Sequence, residues 1–209
     1  MRVSRGSFAQ SFDVSRETIG RLDRYEALLN KWNPKINLVA HSTLGEVWHR
    51  HFADSAQLWA HIPDYATSWL DFGSGAGFPA LVCAILAQEK QPALRVTLVE
   101  SDQRKCAFLA SISNELGLAT RIVPKRIEAL PAQQADIITA RAVAPLSKLL
   151  ALTEDHAHKS SVLLFPKGNR YESELTAARK HWHIDAQVIE SLTDSGSVIL
   201  RIEDFARVE

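Results

Sequence analysis

Several features that commit a protein to a narrow class are missing from this chain of 209 residues. It has only 2 cysteines, no CxxC pair and no HExxH motif, which argues against a disulfide framework and against a zinc site. No apolar run approaches the roughly 20 residues that a membrane-spanning helix requires. The first residues also lack the apolar core of a signal peptide. We therefore expect a cytoplasmic protein with reduced thiols, without a metal and without contact to a membrane.

An excess of charge of one sign is missing as well. Lys+Arg and Asp+Glu number 24 each, so the formal net charge is zero. Domains that bind nucleic acids by bulk electrostatic attraction are usually strongly basic. The charges are unevenly spread, since residues 1–60 hold 8 basic and 6 acidic residues while residues 151–209 hold 7 and 10. The neutral total is therefore compatible with a local, modest basic face and does not exclude an RNA substrate.

The first 64 residues have the hydrophobic pattern of amphipathic helices. Apolar residues recur at helical spacing from Ser15 onward, and the Asn33-Pro34 step predicts the end of that helix. Thr43 and Glu46 have the spacing of a capping box, which predicts the start of a second helix that ends near residue 61. We therefore expect residues 1–64 to form an N-terminal helical extension.

Residues 65–209 have a different texture, in which short apolar strands alternate with amphipathic helices. A turn at residues 193–196 predicts a hairpin between the last two strands. This alternation predicts an α/β fold with a Rossmann-like, mostly parallel sheet, an antiparallel C-terminal strand and helices on both faces. The extension at residues 1–64 and this domain at residues 65–209 are expected to pack as one unit.

The most informative segment is a glycine-rich turn at Asp71–Pro79. It follows an apolar strand and precedes a helix, as does the nucleotide-binding corner of a doubly wound fold. Gly73 and Gly75 would let a ligand approach the backbone, because glycine has no Cβ. Glu100 ends the next strand, where its carboxylate would accept hydrogen bonds from the two hydroxyls of a ribose. We therefore assign these three residues to a cofactor site.

The spacing of the glycines bears on which cofactor is bound. The dinucleotide fingerprint is GxGxxG, whereas Gly73, Gly75 and Gly77 give GxGxG, and no P-loop motif GxxxxGK[ST] occurs. Asp71 lies two residues before the first glycine, where a carboxylate is awkward beside a pyrophosphate. It suits a cofactor with a cationic end, such as S-adenosylmethionine. The residues therefore favour a methyltransferase over a nucleotide-dependent oxidoreductase, which stays open as the alternative.

The end of the fourth predicted strand, at residues 137–145, bears on the methyl acceptor. It carries no Asp/Asn-Pro-Pro-Tyr/Phe motif for an exocyclic amine, and Cys83 and Cys106 are misplaced for a cytosine-C5 enzyme. A ring nitrogen with a free lone pair, such as guanine N7, needs neither, because it has no proton to remove. Arg141 is the catalytic candidate here, acting by alignment and electrostatics without a general base. Lys167, at the tip of the fifth strand, would contact a phosphate or the substrate.

These segments together resemble the bacterial RsmG (GidB) family. The resemblance spans about residues 20–205 and implies methylation of guanine N7 in 16S ribosomal RNA of the small subunit, with S-adenosylmethionine as cofactor. The glycine loop alone is generic, but the set in this order is specific. The segments that carry the resemblance are Lys31-Trp32-Asn33, Ile36-Asn37-Leu38, Arg50-His51-Phe52-Ala53-Asp54-Ser55, Asp71–Pro79, Thr139-Ala140-Arg141-Ala142 and Lys167-Gly168.

The resemblance also implies which residues meet the cofactor. Carried over residue by residue, the family's contacts fall on Gly73, Phe78, Ile127, Glu128 and Arg141. The sequence departs slightly from the family pattern, because Glu100 stands where other members often have Asp, and Ala80 stands where Gly is more usual. The longer acid should still reach the ribose hydroxyls.

The RNA side is less sharply defined. Arg50 and His51 would lie at the mouth of the active site and contact RNA, or belong with Asp54 and Ser55 to a polar network that holds the N-terminal part in place. We expect a monomer that acts on the small ribosomal subunit or an assembly intermediate. Another RNA or small-molecule methyltransferase and a non-catalytic RNA module remain alternatives. The basic residues assigned to the RNA side are Arg16, Arg21, Arg24, Lys35, Arg50, Lys125, Arg126 and Lys167.

Overall fold

Seven strands form one sheet in the computed structural model of this chain, which describes residues 2–208. Their order across the sheet is β3-β2-β1-β4-β5-β7-β6. The strands β1 to β5 are parallel, and β7 pairs antiparallel with both β5 and β6. The strands are β1 Ser68–Phe72, β2 Arg95–Val99, β3 Thr120–Val123, β4 Ala135–Thr139, β5 Ala157–Lys167, β6 Trp182–Glu190 and β7 Val198–Arg207. The predicted α/β class, the mostly parallel sheet and the antiparallel C-terminal strand are confirmed.

Helices connect the parallel strands and precede the sheet. The helix bounds are α1 Arg5–Phe12, α2 Arg16–Ile36, α3 Asp54–Ala56, α4 Ala80–Lys90, α5 Gln103–Leu116, α6 Leu146–Thr153 and α7 Tyr171–Ala178. The bounds of α5 follow from local signals, since the Asp102 carboxylate accepts from the backbone N–H of Arg104 and Lys105, and Gly117 ends the helix in the left-handed conformation. The strand order reverses between β1 and β4, so the ligand crevice of such a sheet lies at the carboxyl ends of these two strands.

The first predicted helix extends further than its sequence indicates. The predicted end at Asn33-Pro34 is wrong, because α2 continues to Ile36 with Pro34 inside it. The helix ends where Asn37 adopts φ 48°, and the Asn33 side chain accepts hydrogen bonds from the backbone N–H of Leu38 and Val39 at 2.8 Å each. Pro34 removes only one backbone N–H donor from the helix. The two hydrogen bonds to the Asn33 side chain stabilise the turn that follows.

The second predicted helix is interrupted. In place of one helix from Thr43, the chain forms a 3-10 segment at His41–Glu46, a π-helical segment at Trp48–Ala53, the short α3 and a 3-10 segment at Gln57–His61. The predicted capping box does not form, because the Thr43 hydroxyl donates to the Ala40 carbonyl oxygen at 2.8 Å and also pairs with the His51 ring. π-helical segments often occur at functional sites, and this one carries Arg50 and His51.

Two apolar clusters lie on the two faces of the sheet. One joins α6 and α7 to the sheet. The other joins the N-terminal helices to α4 and α5, so it crosses the predicted boundary at residue 64. Phe52 lies in this second cluster with no exposed surface, and its ring centroid is 5.1 Å from that of Trp48 and 5.3 Å from that of Tyr25.

The Phe52→Ala variant should lose about 3–5 kcal/mol of unfolding free energy, because it leaves a cavity between the N-terminal helices and α4. Urea unfolding followed by tryptophan fluorescence and by circular dichroism should give one shared transition, moved to lower urea. Leu192→Ala, at a position 67% exposed, serves as the control. A loss below about 1 kcal/mol, or two separate transitions, would contradict the packing described here.

Candidate active site at the carboxyl edge of the sheet

The glycine loop between β1 and α4 depends on glycine at particular positions. Gly73, Gly75 and Gly77 have φ of 68°, 56° and 91°, in the left-handed region that other residues rarely adopt. A Cβ on Gly73 would lie 2.3 Å from Cγ2 of Val143, and one on Gly77 would lie 2.5 Å from Cδ1 of Leu81. The loop is therefore packed against its neighbours on two sides, which fixes its backbone.

Glu100 links this loop to the end of β2. Its Oε2 accepts a hydrogen bond from the Gly75 N–H at 2.9 Å, and its Oε1 accepts one from the Asp102 N–H at 2.8 Å. The side chain is nearly buried, and each carboxylate oxygen retains a second lone pair. Glu100 is thus held in a fixed orientation in which it can accept further hydrogen bonds, as two ribose hydroxyls would offer.

A cavity of about 210 Å³ brings together four of the predicted cofactor residues, which are Gly73, Glu100, Ile127 and Glu128. They come from the ends of β1 and β2 and from the 3-10 turn after β3. Val143 and Lys148, which the sequence did not single out, line the same cavity. Gly75 does not line this cavity, but its backbone N–H donates to Glu100, which does.

Asp71 lies beneath the glycine loop and is fully buried. The Thr139 hydroxyl donates to its Oδ1 at 2.6 Å, and the Trp69 indole in turn donates to Thr139 at 2.8 Å. Within residues 2–208, Oδ2 of Asp71 has no hydrogen-bond partner. Burial raises the pKa of Asp71, while Thr139, Ser74 and Arg141 act to lower it. The resulting pKa is about 7. A buried carboxylate with a free oxygen fits a cationic group next to the loop.

Phe78, which the resemblance places against the cofactor, lies inside an aromatic stack. Its ring centroid is 4.8 Å from His51 at 11° and 5.4 Å from Tyr25 at 18°, and the Arg141 guanidinium carbon is 5.2 Å away. The Phe78 side chain does not line the 210 Å³ cavity. Its role here is to join the glycine loop to α2 and to the π-helical segment, and contact with the cofactor stays a prediction.

The structure buries most of His51, although the residue lines a cavity of about 350 Å³ together with Arg50 and Arg141, and its contact with RNA stays a prediction. The ring is 8% exposed, stacks on Phe78, and shares a 2.8 Å hydrogen bond between its Nε2 and the Thr43 hydroxyl. Burial, together with the positive charges of Arg141 and Arg50, lowers the pKa of His51 to about 3. The imidazole is therefore neutral at physiological pH and offers no charge to a phosphate.

Arg141 lies at the rim between two larger cavities, of about 440 and 350 Å³. Its Nη1 is 3.1 Å from Oδ2 of Asp54, and the two side chains are 23% and 20% exposed. Arg141 does not line the 210 Å³ cavity, but the loop that follows it does, through Val143 and Ala144. The guanidinium thus lies near the predicted cofactor residues and faces the two larger cavities.

Lys167 is nearly enclosed instead of lying free at the strand tip. Its Nζ donates to Oε2 of Glu174 at 2.7 Å and to the Ala144 carbonyl oxygen at 3.0 Å, and its side chain is 8% exposed. Lys167 also lines the 440 Å³ cavity. Because its ammonium is bonded to the Ala144 carbonyl oxygen, it holds the loop before α6 against β5. For Lys167 to contact RNA as predicted, its ammonium would have to bind a phosphate while it already donates to Glu174 and Ala144.

The basic residues assigned to the RNA side do not share one edge. Arg21 lines a cavity with Arg95 and Gly117, at the amino ends of β2 and β3 and away from the glycine loop. Arg50 is exposed and lines the 350 Å³ cavity beside Arg141. Only part of the predicted set therefore lies near the candidate active site.

The comparisons with known proteins agree with this geometry. The family model described as rRNA small subunit methyltransferase G (GidB) matches residues 18–199. The ribosomal RNA small subunit methyltransferase G of Cereibacter sphaeroides is 46% identical over 200 residues, covering 96% of each chain. That of Jannaschia sp. is 50% identical over 188 residues, covering 90% of this chain and 89% of its own. The chain belongs to the rRNA small subunit methyltransferase G family.

Solved structures add support for the fold of this family member. A SAM-dependent methyltransferase from Aquifex aeolicus superposes with a TM-score of 0.57 and 16% identity, over 85% of this chain and 98% of its own. A ribosomal protein L11 methylase from Lactobacillus delbrueckii gives a TM-score of 0.57 and 14% identity, over 74% and 77%. At such identities the likeness concerns the fold alone.

No helix within residues 2–208 is long and apolar enough to cross a membrane. In the same range, no group of three or more His, Cys, Asp or Glu side chains is arranged to hold a metal ion.

The Asp71→Asn variant should gain stability relative to the wild type as pH rises. Because the pKa of Asp71 is about 7 in the folded state and 3.8 as the ordinary value, the wild type loses stability through this pH window. Asparagine stays neutral, so the difference between variant and wild type should grow by about 2.5 kcal/mol from pH 5 to pH 8. Urea unfolding at both pH values measures it, with exposed Asp64→Asn as the control. A difference that does not change with pH would contradict the buried, protonated carboxyl.

Proposed function

We propose that this chain transfers a methyl group from S-adenosylmethionine to N7 of a guanine in 16S rRNA of the small ribosomal subunit. The single observation that carries the proposal is the juxtaposition of the glycine loop, the anchored Glu100 and the buried Asp71 with its free oxygen. Membership of the rRNA small subunit methyltransferase G family supports the substrate class.

The residues present fit S-adenosylmethionine. Glu100 is oriented to accept the ribose hydroxyls, and the Ile127-Glu128 turn lies across the same cavity, where an adenine would be covered. Asp71 would stabilise the positive charge of the sulfonium and ammonium groups, and its own carboxylate form would be favoured in return. When bound, the cofactor supplies a methyl group on a positively charged sulfur.

The same residues fit an oxidoreductase poorly. A dinucleotide would bring its pyrophosphate to the glycine loop, directly above the carboxyl of Asp71. Burial already raises the pKa of this group to about 7, and an additional negative charge would raise it further. The structure therefore gives no reason to prefer the oxidoreductase alternative.

Guanine N7 suits the acceptor cavity because its methylation requires no general base. The two carboxylates that line the 440 Å³ cavity, Asp54 and Glu174, are engaged by Arg141 and Lys167 respectively. N7 would bond to the methyl carbon through its own lone pair while the carbon–sulfur bond breaks and leaves a neutral thioether, so the protein would only have to align the base and stabilise charge. Arg141 would orient the guanine through its O6.

The direct test of this function is methyl transfer from labelled S-adenosylmethionine to small ribosomal subunits from a strain that lacks the enzyme. We expect label in 16S rRNA and, after digestion to nucleosides, a single labelled product that co-elutes with 7-methylguanosine. Large subunits serve as the control. Absence of label from 16S rRNA, or label in another methylated nucleoside, would refute the proposal or its acceptor atom.

The Glu100→Gln variant should bind S-adenosylmethionine at least about tenfold more weakly, because hydrogen bonds to a charged acceptor contribute roughly 1.5–3 kcal/mol. Titration calorimetry measures the dissociation constant. Glu115→Gln removes an exposed carboxylate from α5 and serves as the matched control. An unchanged dissociation constant for Glu100→Gln would show that the ribose is held elsewhere.

Exposed cations around the cavities define a basic rim, consisting of Arg50, Lys125, Arg126, Lys148 and Arg170. Arg170 lines the 440 Å³ cavity, and Lys125, Arg126 and Lys148 line the 210 Å³ cavity. None of the five has a carboxylate within 4.0 Å among residues 2–208. Cations without partners are free to contact RNA phosphates.

Substituting Arg50 or Arg170 by alanine should weaken RNA binding. Each substitution should also reduce the steepness of a plot of the log of the binding constant against the log of the salt concentration by about one, because each phosphate contact releases about one counterion. Filter binding with small subunits between 50 and 200 mM salt, roughly the range over which such contacts weaken, measures the slope. Arg95→Ala, at the opposite edge of the sheet, is the control. Equal slopes for wild type, Arg50→Ala and Arg170→Ala would place the RNA on another surface.

A further inference from the structure

Three separate segments of the chain meet at the carboxylate of Asp54. Asp54 begins α3 in the N-terminal part of the chain. Its Oδ2 pairs with Nη1 of Arg141, from the loop after β4, at 3.1 Å. Its Oδ1 accepts a hydrogen bond from the hydroxyl of Thr193, in the turn between β6 and β7, at 2.8 Å. These partners are 87 and 139 residues away in sequence.

Gln57, three residues after Asp54, fixes this arrangement further. It is buried, and its Nε2 donates to Oδ1 of Asp54 at 3.0 Å and to the Ser191 hydroxyl at 3.2 Å. Its Oε1 accepts from the backbone N–H of Leu192 at 2.8 Å. Because Oδ1 of Asp54 receives two hydrogen bonds, the carboxylate is held in one orientation and its Oδ2 points to Arg141.

Arg141 in turn depends on Asp54 for its own position. The guanidinium lies between the Asp54 carboxylate and the Phe78 ring, and no other carboxylate within residues 2–208 lies within 4.0 Å of it. The loop that carries it has no regular structure, and Ala142 has φ 57°. A long arginine side chain has several rotamers of similar energy, so a loop of this kind does not orient it by itself.

The Asp54 carboxylate lies beside the cavities and is not part of an apolar core. It lines both the 440 and the 350 Å³ cavities, as Arg141 does. A carboxylate with a purely structural role would not need to be placed where a substrate binds. Its negative charge also lies on the side from which the acceptor base would enter.

From this geometry we infer that Asp54 is a positioning residue for methyl transfer, which acts by holding the guanidinium of Arg141 toward the acceptor. The inference rests on the proposed function. It assigns the N-terminal helical part and the β6–β7 turn a shared role in the reaction, because both hold the carboxylate that orients Arg141. Asp54 itself need not touch the RNA or the cofactor.

The Asp54→Asn variant tests the inference, because it retains an oxygen that can accept from Thr193 and Gln57 and loses the charge toward Arg141. Single-turnover methyl transfer at saturating RNA and cofactor should slow by about tenfold to a hundredfold, the range expected when a catalytic group is misplaced by about 1 Å. The dissociation constant for S-adenosylmethionine and the unfolding temperature should change little. Asp54→Glu should recover part of the rate, since it restores the charge.

Two further variants separate positioning from a structural effect. Thr193→Val removes only one hydrogen bond to Oδ1 and should slow the same step by a smaller factor. Glu154→Gln removes a carboxylate from the exposed ion pair with Arg207 and should leave the rate unchanged. If the wild type methylates and Asp54→Asn is within threefold of it, the inference fails while the proposed function stands. A slower rate accompanied by an equal loss of cofactor affinity or of folding would also overturn it. A wild type without activity would refute the proposed function instead.

Discussion

The stack of Phe78 on His51 and Tyr25 is the contact on which the rest of the candidate site depends. Phe78 follows the glycine loop directly, so this stack ties the loop to the N-terminal helices. The Tyr25 hydroxyl also donates to the carbonyl oxygen of Ala76, inside the loop. Since Arg141 lies over the same ring, this stack sets the position of the glycine loop relative to Arg141. The N-terminal helices are therefore part of the active-site framework.

Burial, more than the net charge of the protein, determines which side chains of this site are charged. His51 and Asp71 are both buried beside Arg141, and burial favours the neutral form of each. Arg141 is therefore the charged group of this interior region, together with its partner Asp54. At the surface, no cation of the basic rim has a carboxylate within 4.0 Å among residues 2–208. A net charge of zero thus coexists with cations placed where RNA phosphates would bind.

The parts of the fold that local signals control could be predicted from the sequence. The glycine loop, the strands around it and both ends of α5 follow from hydrophobic period, glycine and capping residues within a few positions. The helix predicted from Thr43 failed because its cap is occupied by His51, a tertiary contact that no local pattern reveals. The burial of His51 and the hydrogen-bond partners of Lys167 likewise arise from tertiary contacts. The Asp54–Arg141 pair was beyond sequence reasoning, because its members are 87 residues apart.

Native-state hydrogen exchange tests most directly whether the N-terminal helices and the glycine loop act as one unit. The amides of residues 52–56 and of residues 73–77 should exchange with the same opening free energy. Addition of S-adenosylmethionine should then slow both sets by the same factor, although only the second set belongs to the cofactor loop. Exchange of residues 52–56 at a lower opening free energy, unaffected by the cofactor, would contradict this account.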